Sequence, residues 1–101
     1  MTERVWYRSI EGSRIEDRGT LTVAGGAIWF SGRKGTTVGG PVRAVLSRPH
    51  GFTNWVVVTY EQAGERREGY FVCSQLLGWA GILGANRKLQ GAIEDEIQAP
   101  A

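Results

Sequence analysis

Between Val5 and Cys73 the chain sustains no long apolar run before glycine or a charged segment interrupts it. Fifteen of the 101 residues are glycine, about twice ordinary usage. They have no fixed period, which excludes collagen-like and low-complexity readings. Instead they punctuate short runs rich in β-branched and aromatic residues, the residue types that suit a pleated, half-buried surface. Leu21 and Val23 fall on one face of Gly19–Val23, and Gly25-Gly26 separates that run from Ala27–Ser31. A Gly-Gly pair between two such runs predicts a hairpin, because both turn positions need positive φ. Gly32–Gly35, Gly39-Gly40-Pro41 and Gln62–Glu65 read as further turns, and Glu11–Asp17 and Arg48–Thr53 as loops. Seven strands are therefore expected: Val5–Ile10, Gly19–Val23, Ala27–Ser31, Thr36–Val38, Val42–Ser47, Asn54–Tyr60 and Arg67–Cys73. Such spacing suits a small sandwich or barrel.

The C-terminal stretch has another period. Ile82, Leu89, Ile93 and Ile97 share one helical stripe, while Arg87, Lys88, Gly91, Glu94 and Asp95 lie opposite. That predicts an amphipathic helix docked on an apolar surface. Gly91 weakens it, and its charges oppose the helix dipole, so tertiary packing must hold it. Gly78, Gly81 and Gly84 predict a tight turn or a distorted first turn at its entry, and Ala99-Pro100-Ala101 a frayed end.

One domain, residues 1–101, is the natural count at this length. A single cysteine, Cys73, excludes an internal disulfide framework and a cysteine-based zinc site. No apolar run is long enough to span a bilayer, and Met1-Thr2-Glu3-Arg4 is not followed by a signal-peptide core. A cytoplasmic location is the expectation. Twelve basic against ten acidic residues give a net charge of only +2. With no basic cluster on one element, nucleic acid is not an expected partner.

Catalytic chemistry finds no constellation. His50 is the sole histidine, sits beside Pro49 and Gly51, and has no acid close in sequence. Cys73 reads as a small buried hydrophobe. Gly32-Arg33-Lys34-Gly35-Thr36-Thr37 has the wrong order for a phosphate-binding P-loop and joins two strands. Neither a metal nor a cofactor is expected, and the chain reads as a non-enzyme.

Strands followed by one amphipathic helix form the element order of the pleckstrin-homology superfold. In Gly19–Val23 leading to Ala27–Phe30, in Asn54–Val58, in Tyr70-Phe71-Val72 and in the Gly78–Leu89 helix entry, the chain resembles bacterial PH-like and GRAM-like small domains. The resemblance covers roughly residues 4–97. It implies a mostly β fold: a seven-stranded antiparallel barrel capped by a C-terminal helix. It also implies a non-enzymatic role in binding lipid headgroups, peptides or other domains. Domains of this fold often receive phosphoinositides between the loops at one barrel mouth. The matching loops here carry Arg14 and Arg18, Arg33 and Lys34, and Arg66 and Arg67. Glu11, Glu16, Asp17, Glu65 and Glu68 lie among them, and the basic first-strand motif of strong phosphoinositide binders is absent.

The remaining candidates are Trp6, Trp29, Trp55 and Trp79. Alternation sets Trp29 opposite Ile28 and Phe30, and Trp55 opposite Val56 and Val58, so one member of each set faces outward unless something covers it. Exposed apolar patches mark interfaces. The leading expectation is therefore a module that binds a protein, or a second copy of itself, through an aromatic-bearing sheet face. The alternative is a peripheral binder of anionic lipid through the basic loops.

Overall fold

Alternation along the first strand, β1 (Thr2–Arg8), sends Val5 and Tyr7 to one side and Trp6 and Arg8 to the other. The same two-sidedness recurs in β2 (Asp17–Ala24), β3 (Ala27–Gly32), β4 (Thr37–His50), β5 (Thr53–Gln62) and β6 (Glu65–Cys73), after which the chain enters α1 (Gly78–Gln98). These elements come from a computed structural model that describes residues 1–9, 15–50, 53–73 and 78–98.

Every sequential pair of strands is antiparallel, and β1 pairs with β6 from Val5↔Cys73 to Arg8↔Tyr70, which closes the sheet into a barrel. The inward set is Val5, Tyr7, Leu21, Val23, Ile28, Phe30, Val56, Val58, Tyr60, Phe71 and Cys73. Tyr7, Phe30 and Phe71 meet with ring centroids 5.0 to 5.9 Å apart. Each such pair adds about 0.5–1.5 kcal/mol beyond its area burial.

The barrel has six strands, not the expected seven. Gly39-Gly40-Pro41 does not turn the chain; it lies inside the single 14-residue β4. Gly40 takes φ +147°, and a Cβ there would come 1.8 Å from the Glu61 carbonyl oxygen. Glycine is thus needed for close approach of two strands rather than for reversal. A bulge between Val42 and Ala44 then lets β4 bend from pairing with β3 to pairing with β5. The expected loop at Arg48–Thr53 is also shorter, because Arg48, Pro49 and His50 continue β4 opposite Trp55, Asn54 and Thr53. β3 pairs with β4 only as far as Pro41, so a residue lacking an N–H is tolerated further on.

In α1, Leu89 and Ile93 are fully buried in the barrel core, whereas Ile97 at the end of the stripe is 37% exposed. The helix packs mostly on β4, β5 and β6. It begins at Gly78, so Gly78–Gly84 belongs to the helix and does not form a separate tight turn. Near its other end the Glu96 carboxylate accepts the Gly26 N–H at 2.7 Å, tying the helix to the β2–β3 turn. The expected fraying at 99–101 lies outside the described residues.

Candidate functional site

The outward side chains of β1, β2 and β3 fall into register. Trp6 pairs with Arg18, and the Arg33 N–H donates to the Arg18 carbonyl at 2.9 Å. One rung along the strands, Arg4, Thr20, Ser31 and Thr37 align; one further, Thr22, Trp29 and Gly39 align. Rungs on one face lie about 6.7 Å apart and neighbouring strands about 4.8 Å apart.

This arrangement makes a shallow groove of about 370 Å³ lined by Arg4, Trp6, Arg18, Thr20, Ser31 and Arg33. A second groove, of about 350 Å³, shares Trp6, Arg18 and Arg33 and adds Ile15, Glu16, Asp17 and Lys34. A third, of about 330 Å³, shares Thr20 and Ser31 and continues to Trp29, Thr37 and Gln62. The three form one continuous track over the outside of the barrel.

The acids beside this track are occupied. Asp17 is only 3% exposed. Its carboxylate accepts the N–H groups of Arg18 at 2.8 Å, Lys34 at 3.1 Å and Thr36 at 3.3 Å. Burial pushes its carboxyl up, but these bonds and one with the Thr36 hydroxyl outweigh that and hold it below the usual carboxylate range. Glu16 accepts the N–H of Ser9 and, at 2.7 Å, its hydroxyl. The ion pairs Arg43–Glu61 and Arg67–Glu65, both 3.0 Å, lie on other strands. Among the described residues no carboxylate pairs with Arg4, Arg18, Arg33 or Lys34.

Of the basic candidates, Arg18, Arg33 and Lys34 therefore meet. Arg66 and Arg67 stand on β6 and line none of the three grooves, with Arg67 paired to Glu65. Arg14 lies outside the described residues. Sequence reasoning missed Arg4, because it grouped cations by loop and Arg4 lies within a strand. The alternation Arg4, Trp6, Arg8 against Val5, Tyr7 was the signal that places it on the outer face.

The tryptophans part company. Trp29 is 59% exposed, with its ring over Gly39, where a Cβ would come 2.6 Å from the indole Cε3. Trp6 is half-buried. Trp55 faces outward too but is only 6% exposed, within a second apolar cluster with Val57, Tyr70 and Val72. The Arg8 guanidinium lies 4.0 Å from its ring centroid. Trp79 falls in α1, and its side chain lies outside the described residues, as does that of His50 in β4.

Cys73 is buried in the core, and burial, with Glu3 adding to it, pushes its thiol up to about 12. Among the described residues there is no cluster of metal-ligating side chains and no helix long and apolar enough to cross a membrane. Compared with protein-family models, with curated proteins and with solved structures, the chain has no significant match.

Proposed function

We propose that this chain is a non-catalytic binding module that takes an anionic, phosphate-bearing ligand on the outer face of β1, β2 and β3. One observation carries the reading: Arg4, Arg18, Arg33 and Lys34 line adjoining grooves around Trp6 with no described carboxylate paired to them. Three of the four are arginine, whose planar fork matches a phosphate with two parallel hydrogen bonds. The likeness in element order to PH-like domains supports a binding role rather than catalysis. Retention on immobilised polyphosphate tests it. Arg18→Ala with Arg33→Ala should weaken retention roughly tenfold or more, the worth of one or two charged hydrogen bonds, and retention unchanged in that variant ends the proposal. Flotation with phosphatidylserine vesicles reads whether a membrane supplies the phosphate; Ile15, 43% exposed beside Lys34, offers an apolar contact there.

A second reading is favoured by Trp29. A large indole left 59% exposed on a sheet face suits self-association or a protein partner. Sedimentation of the wild type against Trp29→Ser checks it, since a monomer at every concentration removes the self-association reading.

A further inference from the structure

We propose that the track across the barrel binds single-stranded nucleic acid, with phosphates held by Arg4, Arg18 and Arg33 and bases stacked on Trp29 and Trp6. This deepens the anion-binding reading and rests on it. The added observation is the ordering of chemistry along the track. Trp6 and Arg18 share the first rung, with Arg33 hydrogen-bonded beside them; Arg4 lies on the second rung and Trp29 on the third. From the strand and rung spacings, Trp6 and Trp29 stand about 16 Å apart on the diagonal, with the cations between them or alongside. Short polar side chains, Thr20 and Ser31, floor the middle and leave the approach open.

A plane of lipid headgroups would meet the rim at Lys34 and Ile15 but would leave Trp29, two rungs away, without a role. An acidic peptide would satisfy the arginines without using a flat ring. A strand that alternates phosphates with planar bases uses both, which is how sequence-tolerant single-strand sites are built: a cationic groove beside aromatic platforms. The Trp29 ring over Gly39, with most of its surface open, is such a platform. The small net charge does not oppose this, because Glu16 and Asp17, which line the track, are engaged by Ser9 and by backbone N–H groups, and other acids are engaged off it. Glu61 holds Arg43, Glu65 holds Arg67, Glu96 holds the Gly26 N–H, and Asp17 holds the β3–β4 turn.

The test compares fluorescent dT12 with an abasic 12-mer of equal phosphate count, a 12-base-pair duplex and phosphatidylserine vesicles. The expected result is dT12 bound more tightly than the abasic strand by roughly 5- to 150-fold per stacked base. The log of the dT12 binding constant should fall against log salt with a slope of about −2 to −3, for three or four neutralised phosphates. Trp29→Ala should cut the dT12 advantage over the abasic strand by the worth of one stacked base, roughly 5- to 150-fold, while polyphosphate retention stays as in the wild type. Trp29→Phe should keep most of the difference, which separates stacking from misfolding. Equal binding of dT12 and the abasic strand overturns the inference and leaves the anion-binding reading standing. So does a duplex bound as tightly as dT12, because paired bases cannot reach Trp29, and so does binding to vesicles with neither strand bound. Failure of polyphosphate and both strands together overturns the two readings at once.

Discussion

Both carboxylate oxygens of Asp17 lie 3.1 Å from the backbone nitrogen of Lys34, so the first residue of β2 holds the β3–β4 turn in place. The turn carries Arg33 and Lys34, and Asp17 therefore positions two of the four cations without touching a ligand. Against the upward push of burial, its carboxyl is held below the usual carboxylate range in the folded protein by hydrogen bonds that only the ionised form accepts well. A depressed value means stability that is fully present above the unfolded value and is lost as pH falls through the folded one. The wild type should thus lose no stability from this group between pH 7 and about pH 5 and should lose it below about pH 4. Asp17→Asn should be less stable at pH 7 and should lack that acid-side loss. Acid titration followed by circular dichroism, wild type against variant, reads both, and parallel curves would contradict the assignment.

Arg8 should matter to stability rather than to binding. Only 3% exposed, its guanidinium lies 4.0 Å from the Trp55 ring centroid and 5.7 Å from that of Tyr70. A desolvated cation over an indole is worth about 2 kcal/mol. Arg8→Met keeps much of the packing volume and should cost about 1–2 kcal/mol in urea unfolding, with Trp emission shifted to the red. Polyphosphate retention should not change, since neither Arg8 nor Trp55 lines the three grooves. A loss of retention at full stability would show that Arg8 belongs to the binding face.

Gly40→Ala should be severe. The new Cβ would meet the Glu61 backbone carbonyl at 1.8 Å, at φ +147°. No side-chain rotation relieves a clash with backbone, so β4 and β5 must separate where they begin to pair. The expected cost is about 3 kcal/mol or more, combining backbone strain with lost pairing. Thermal unfolding checks it; a midpoint within about 2 °C of the wild type would mean that the Glu61 carbonyl does not approach Gly40 this closely.

The same stretch shows where sequence stopped informing. The hairpin at Gly25-Gly26, the Asn54–Tyr60 strand and the helical stripe through Leu89 and Ile93 were legible because each rests on local spacing and burial. Gly39-Gly40-Pro41 looked like a turn because locally it has turn chemistry. Its role in an unbroken β4 depends on how close Glu61 comes, a contact made across 21 residues of chain. The split among the tryptophans was hidden for a similar reason. Trp29 and Trp55 both alternate outward, but only the closure of β6 onto β1 brings Arg8 beside Tyr70 and over Trp55. Charges were legible by number and not by direction: the acids among the basic loops looked neutralising until Asp17 and Glu16 proved bound to backbone and hydroxyl donors.

Gly91→Ala should stabilise. Gly91 lies inside α1, and a Cβ there meets nothing within 4 Å. Alanine relieves the backbone entropy cost of an interior helical glycine, a gain of about 1 kcal/mol. The gain should appear as a urea midpoint raised at unchanged slope. No gain at all would mean that α1 is not helical at Gly91 in solution.

Cys73 should report the integrity of the barrel. It is 2% exposed on β6, paired with Val5 across the β1–β6 seam that closes the sheet. Reaction with a disulfide reagent requires the thiolate, and a thiol raised to about 12 supplies almost none at neutral pH. Labelling of the native protein at pH 8 should therefore be slow and should accelerate strongly in denaturant, following the unfolding curve. Because Cys73 faces the core at that seam, the labelling rate in water measures the openings of the barrel or its helix that expose it. Stoichiometric labelling of the native protein within seconds would show that β1 and β6 do not form a closed barrel in solution.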